Sequence, residues 1–507
     1  MKRLLSALVV GLAIGVSACG SSPSESGGAA SASGGPTRDT LVIGISRKLT
    51  SLDPGNSGSL DGDATIQRAI YSGLTNYNPK LELEGDLAET WTQDSDTKWT
   101  FKLRSGVVFS DGSPLTAKDV KFSFDRLLEP DTELKSAGTV SGFVDSVQAP
   151  DDSTVVINTK GPFIDLPDRL AAFFIVSEKD PELGSGPYVL KSVDLENGAQ
   201  LARNESYYGT KPHWKSVEYK VLETETARVQ AAQAGTIDVA IQYEPVSLKL
   251  FENSQEYDTG GQWSSWNNTL RINEHIKPLD DIRVRQAINY AIDKQGLIKD
   301  VLGVDVEPLA GQAISAPYDK VNPGLEAYPY DPAKAKALLA EAGHAKGLEI
   351  ELALSTGTYV GQDPVAQVIA KQLEAVGIKL KVTQQSFPNW VERTYSDEKA
   401  AGLYYIGYTS GYKAPAERLR IYASTNLQTR TDPEDKTYDD LVGKLTVAKT
   451  PAEQQELVNQ ATAHFREQAH VVFLWQQPLT WVIKKDLDWT PRPEHWLVPQ
   501  EFSPKGS

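Results

Sequence analysis

The sequence predicts an α/β protein of two or three domains. The chain has 507 residues, and domains average about 100–200 residues. With 40% hydrophobic and 23% charged residues its composition is that of an ordinary globular protein. Along most of its length, strand-like runs alternate with helices whose starts and stops can be read.

The elements follow in order. Lys2 and Arg3 precede the apolar run Leu4–Val16, broken only by Ser6. This is a charged start followed by a hydrophobic stretch too short to span a bilayer. The run ends Val16-Ser17-Ala18-Cys19, which resembles the bacterial lipobox. That resemblance implies a signal peptide over residues 1–18, with Cys19 as the new N-terminus carrying the lipid. Gly20–Pro36 holds only Gly, Ser, Ala, Pro and Glu25, too little apolar surface to fold, so residues 19–36 read as a flexible tether. The expected location is extracytoplasmic, on the outer face of the membrane or in the periplasm.

Strands are expected at Leu41–Ile45, Trp99–Leu103, Thr154–Ile157, Val217–Val221, Ile350–Leu354, Ile378–Val382 and Val471–Trp475. Val284, Ala287, Ile288, Ala291 and Ile292 recur at helical spacing between Arg283 and Val301, forming one buried face. Asp331 with Pro332, and Asp363 with Pro364, read as helix starts, closed by Gly343 and Gly377. The second of these helices, with its flanking strands, makes a βαβ unit.

Charge and motifs exclude several functions. Lys and Arg total 51 against 67 Asp and Glu, a net charge of −16. Such a surface repels phosphate backbones, so no nucleic-acid partner is expected. A single cysteine permits neither an intramolecular disulfide nor a multi-cysteine metal site. The chain has no G-x-S-x-G, H-E-x-x-H, Walker A or complete G-x-G-x-x-G motif; Gly184-Ser185-Gly186-Pro187 comes nearest to the last. His464 and His470, six apart, would lie on different faces of one helix. No enzyme, catalytic residue, cofactor or resident metal is expected.

Several segments carry a resemblance. Asp111-Gly112-Ser113-Pro114-Leu115-Thr116-Ala117-Lys118-Asp119-Val120-Lys121-Phe122-Ser123-Phe124 resembles the signature of the oligopeptide/dipeptide class of ABC-importer solute-binding proteins, family 5. Leu52-Asp53-Pro54, Leu87–Trp91, Trp99–Gly106, Ser185-Gly186-Pro187-Tyr188, Asn204–Tyr208, Arg283–Ala287 with Tyr290–Asp293, and Tyr330-Asp331-Pro332 with Leu338–Gly343 follow in the family's order. Physically these are scaffold; Thr116, for example, can cap a helix opening at Ala117, with Asp119 near its positive end.

The resemblance implies a two-lobed, periplasmic-binding-protein-like (Venus-flytrap) fold with an inserted subdomain. The first lobe would comprise 37–60, 167–265 and 481–507, the insert 61–166 and the second lobe 266–480. Chain crossings are expected near Trp266–Asn273 and Leu479–Val482. The implied function is capture of a small polar solute between the lobes and delivery to an ABC permease with its ATPase subunits, by a monomer touching the membrane only through its lipid. The expected cargo is a short peptide; the alternatives are an oligosaccharide, an opine-like solute or a metal chelate, or a role as a ligand-sensing surface receptor.

In peptide-binding members an Asp in G-W-x-x-D-Y-P-D-P holds the peptide's amino group. The similar stretch here is Gly407–Pro415, with Gly411 at the Asp position and Lys413 beyond it. Tyr408, Ser410, Gly411, Tyr412 and Lys413 are therefore candidate ligand contacts. Flat aromatic faces bury large areas at low rotamer cost, which adds Trp263 and Trp266 at the expected crossing, with Trp390 and Tyr243.

Overall fold

A computed structural model describes residues 38–57, 62–316, 320–394, 400–409, 413–424 and 434–506. Cys19, Ser410, Gly411 and Tyr412 thus lie outside the described residues. The chain divides into Met1–Arg38 and a compact body, Asp39–Ser507.

The body is built on a ten-stranded mixed sheet. Across it run Ile378–Gln385, Leu348–Ser355, Leu403–Tyr408, Tyr257–Ile272, Val471–Lys484, Val239–Ile241, Thr40–Ile45, Ser216–Val221, Gly198–Arg203 and Tyr188–Asp194. The seven strands read from the sequence are all present, most of them longer than expected. Two are much longer than average strands: Tyr257–Ile272 and Val471–Lys484, an antiparallel pair at the centre. Their pairing runs from Tyr257 opposite Lys484 to Trp263 opposite Pro478, then slips, resuming with Asn267 opposite Gln476 and Thr269 opposite Phe473.

On one side of the slip, Val471–Lys484 pairs with Val239–Ile241 through Trp481–Ile483. On the other, Tyr257–Ile272 pairs with Leu403–Tyr408 through Asn267–Ile272. The slip therefore divides one sheet into two halves, each with its own core. Leu41, Ile43, Leu201, Val217 and Tyr219 belong to the first; Val284, Ile288, Leu352, Ile369 and Leu403 belong to the second. A bulge bends the strand that carries it, and Pro478 at the slip has no N–H to give a ladder. The two-lobed α/β architecture follows from this break.

The βαβ unit is present, with Leu348–Ser355 and Ile378–Gln385 parallel and Gln362–Ala375 between them. Its helix start differs from expectation: Gly361, left-handed at φ 73°, occupies the cap, and Asp363 instead accepts a hydrogen bond from Gln384 (2.6 Å). Asp331 does cap its helix, accepting from the Lys334 N–H. The apolar face from Val284 to Ile292 is fully buried, but the helix stops at Ala291. Asp293 caps a new short helix there, and the Lys294 ammonium donates to the freed Asn289 carbonyl (2.8 Å). Burial pulls Lys294 down to about 7.

The insert holds a four-stranded antiparallel sheet, Ala88–Ser95, Lys98–Leu103, Thr154–Thr159 and Val144–Asp151. Over it packs the signature helix Ala117–Leu128, opened by a reciprocal cap between Thr116 and Asp119. Trp99, Phe101, Val120, Phe124 and Ile157 share its core. Arg126 of that helix holds both carboxylate oxygens of Asp53 (3.1 and 2.6 Å), tying the Leu52-Asp53-Pro54 motif to the insert.

Candidate functional site

The slip between the central strands places polar residues in the interior. Ser264, Ser265, Asn267, Asn268 and Thr269 are fully buried, and a buried polar group costs free energy unless it is hydrogen-bonded. Ser264 donates to the Gln477 carbonyl (2.7 Å) and the Ser265 hydroxyl meets Thr409 Oγ1 (2.7 Å). Ser315 donates to Asn267 Oδ1 (2.7 Å) and accepts from Gln476 (2.9 Å). Asn268 donates to the Tyr405 hydroxyl (3.1 Å). Arg418 donates to the Ser265 carbonyl (3.0 Å).

Against this seam stands Trp266, its ring stacked on His495 at 5.7 Å and 27°. The Trp266 indole N–H is buried and meets no acceptor among the described residues. His495 Nδ1 in turn lies 3.4 Å from Gln242 Nε2. Gln242 and His495 both have left-handed backbone, φ 65° and 70°. Such conformations cost non-glycine residues about 1–3 kcal/mol and persist where the surroundings enforce them, often at ligand sites. Here Gln242 is held by its N–H on the Thr480 carbonyl (2.9 Å) and its carbonyl under Arg228 (2.7 Å). The His495 segment is held by Arg492, buried between Glu494 and Glu501 and donating to the Tyr77 carbonyl (2.9 Å).

Contacts also bridge the two halves beyond the crossing strands. The Gly361 N–H, at the start of a second-lobe helix, donates to Glu244 Oε2 of the first (2.8 Å). Burial, with Glu225 and Asp363 nearby, pushes Glu244 up to about 7 against the pull of that N–H and of Arg228. Arg47 sits over the Phe387 ring at 5.6 Å. Between insert and second lobe, Gln454 donates to Asp165 (2.5 Å) and Lys449 pairs with Asp96 (2.6 Å).

The sequence-derived candidates fall in different places. Trp263 and Trp266 both lie at the crossing, half-buried against the second-lobe core. Tyr243 is fully buried in a first-lobe cluster with Phe251 and Tyr257, its hydroxyl on the Arg228 carbonyl (3.3 Å), so it presents no face to a ligand. Trp390 packs with Tyr404 near the far edge of the sheet and donates to the Ala353 carbonyl (3.2 Å). Tyr408 ends its strand opposite Asn267, with Arg418, Arg169, Arg271 and Glu417 around its hydroxyl, which burial pushes up. Lys413 turns to the insert, donating to the Leu81 carbonyl (2.5 Å) with its ammonium 5.5 Å from the centre of the Tyr77 ring. Gln242, His495 and Ser265 were not indicated by any sequence pattern, and Thr409 was passed over within the Gly407–Pro415 stretch; a left-handed Gln or His leaves no periodic mark.

The histidines also depart from expectation. The helix Pro451–Gln468 ends before His470, and the turn brings both imidazoles to one carboxylate: His464 Nε2 and His470 Nε2 lie 2.6 and 2.9 Å from Asp435 Oδ2. His470 Nδ1 meets Glu274 (2.6 Å). Burial alone would lower His470, but Asp435 and Glu274 overcome it and hold it above its ordinary 6.5. The stabilisation is therefore complete below about pH 6.5 and is lost as pH rises through the folded value. His470→Gln is expected to flatten the fall in thermal stability as pH rises above about 6.5; an unchanged pH profile would contradict this charge state.

A family model described as bacterial extracellular solute-binding proteins, family 5, middle, matches residues 82–428. Glutathione-binding protein GsiB of Pectobacterium atrosepticum is 30% identical over 386 residues, 73% of this chain and 74% of that one. The ABC transporter substrate-binding protein CtaP of Listeria monocytogenes superposes with a TM-score of 0.82 at 22% identity, covering 92% of this chain and 99% of that one. The periplasmic binding protein DppA of Helicobacter pylori, solved with the peptide STSA, gives 0.77 at 20% identity, covering 92% and 98%. Among the described residues, no helix is long and apolar enough to cross a membrane.

Proposed function

Since the chain belongs to the family 5 bacterial extracellular solute-binding proteins, the binding components of ABC importers, we propose that it captures a short peptide between its lobes while anchored to the membrane by a lipid on Cys19. The captured peptide then passes to a permease driven by ATPase subunits. The observation that carries this reading is the wall at the crossing. A flat indole with a buried, unmatched N–H stacks on an imidazole, beside a strained glutamine. Such a wall offers a stacking face and a donor, which suit a peptide plane and its carbonyl. Relatives named for glutathione and for a bound peptide support the same cargo class.

The lobes supply the mechanism. A ligand seated between Trp266, which packs on the second-lobe core, and the Gln242–His495 side of the first lobe gains both sets of contacts only when the lobes meet, so it shifts the population toward the closed form. Asn268, Gln477 and Thr409 hold the crossing strands in register while they bend, because their partners lie within the seam.

Thermal unfolding of the full chain with a pool of di- to pentapeptides and glutathione tests the reading. Ligand at about 100 times its Kd should add about 2.7 kcal/mol, seen as a melting shift of a few degrees. Trp266→Phe, which keeps an aromatic face and removes the N–H, should weaken binding about tenfold. A shift with oligosaccharides and none with peptides would overturn the cargo.

A further inference from the structure

A second recess lies away from the Trp266 wall, where the insert meets the second lobe. It has a volume of about 280 Å³ and shares no lining residue with that wall. Phe143 and Phe163 line it from the insert, their rings stacked at 5.1 Å and 20°. Val447, 46% exposed, lines it from the second lobe. Gly138 and Gly161 on the insert side leave it open: a Cβ at Gly138 meets nothing within 4 Å, and one at Gly161 comes no nearer than 3.8 Å to Val447.

The charge around this recess runs against that of the molecule. Lys160 lines it from the insert and Arg420 from the second lobe, and Glu417, the one carboxylate among the described lining residues, is paired with Arg420 at 3.0 Å. Behind the apolar floor, the Arg169 guanidinium lies 5.4 Å from the Phe143 ring centre and within electrostatic reach of Glu417 and Arg420. Among the described lining residues two cations thus accompany one carboxylate, with the Arg169 charge behind the floor, in a chain of net charge −16. An apolar floor under a cationic rim favours a molecule that is apolar at one end and anionic at the other.

We propose that this recess is a second binding site, for a small amphipathic anion: a carboxylate or sulfonate carrying an acyl or aromatic group. The apolar group lies on Phe143, Phe163 and Val447, and the anion between Lys160 and Arg420. Since insert and second lobe each supply one wall, such a ligand favours the state in which they touch. The site stands or falls independently of the solute held at Trp266.

The test is a titration of the full chain with 8-anilinonaphthalene-1-sulfonate followed by its fluorescence, with octanoate and octanol as competitors. Saturable one-site binding is expected, displaced by octanoate at least tenfold more readily than by octanol. Val447→Trp, which fills the recess from an exposed position, should abolish binding. Lys160→Gln should weaken it several-fold while erasing most of the preference for octanoate. Both variants should keep the wild-type melt and the wild-type response to peptides. Equal competition by octanol, undiminished binding in Val447→Trp, or no saturable binding at all would each overturn the proposal.

Discussion

Alanine at Gly186 is expected to lower stability by about 3 kcal/mol or more, a melting loss of several degrees. A Cβ there would lie 2.6 Å from the Ile70 carbonyl carbon, 2.7 Å from its oxygen and 2.8 Å from the Ala69 oxygen. All three are backbone atoms at the end of helix Asp63–Ile70, which is buried along nearly its whole length. The helix cannot yield, because its first residue, Asp63, holds the Thr50 N–H (2.8 Å) and its last carbonyl accepts from the Gly186 N–H itself (2.8 Å). A Cβ at Gly184 would meet the same carbonyl oxygen at 2.1 Å. The Gly-Ser-Gly-Pro segment, which superficially suggests a phosphate loop, is thus a flat strap across a helix end. Gly443→Ala is the contrast: that glycine sits within helix Lys436–Thr446 with open space at its Cβ. Its replacement should leave stability unchanged or raise it by up to about 1 kcal/mol. Equal melting losses for the two variants would refute the steric account.

Acidification is expected to draw the lobes together. Glu244 accepts from Gly361 across the lobes and is pushed up to about 7 by burial, with Glu225 and Asp363 adding and the Gly361 N–H and Arg228 opposing. Asp165 accepts from Gln454 across the insert seam and is pushed up to about 6 by burial and Asp168, against Lys320 and Gln454. In both contacts the touching state holds a proton that the separated, solvated carboxyl has released. Their contribution is complete below the ordinary carboxylate range and is lost as pH rises through the raised values. For Glu244 alone, the closing equilibrium should gain about tenfold or more between about pH 7.5 and 5.5. The distance between dyes on the two lobes, measured without ligand, reads this directly. Glu244→Gln should remove most of the slope and Glu244→Gln with Asp165→Asn nearly all of it. A wild-type slope surviving in the double variant would show that neither carboxyl carries the effect.

Local signals made much of the scaffold legible. The Thr116–Asp119 cap, the Asp331 start, the βαβ unit and the buried face from Val284 to Ile292 each depend on residues within a turn or two of one another. The strand Tyr257–Ile272 was not legible, because Gly260, Gly261 and the polar run from Ser264 to Asn268 resemble a loop. Its glycines and serines are explained only by distant partners: a Cβ at Gly260 would lie 2.2 Å from the Trp481 ring, and Ser264 is satisfied by Gln477. The aromatic candidates show the same limit. Composition favours Trp266, Trp390 and Tyr243 alike, yet long-range packing puts one at the lobe crossing and two in cores. Left-handed Gln242 and His495 are fixed wholly by contacts made far along the chain.

The order of strands in the central sheet bears on how the chain folds. Thr40–Ile45, the first strand, lies beside Val239–Ile241, whose other neighbour is Val471–Lys484. Trp214 and Tyr219, near the heart of the same lobe, donate to the carbonyls of Phe502 and Leu497. The earliest segment therefore cannot complete its lobe until the last has arrived. Contacts so distant in sequence demand costly loop closure before they return any stability, which makes folding slow. A nascent chain of this topology remains open and threadable until Leu497 and Phe502 are free to receive Tyr219 and Trp214.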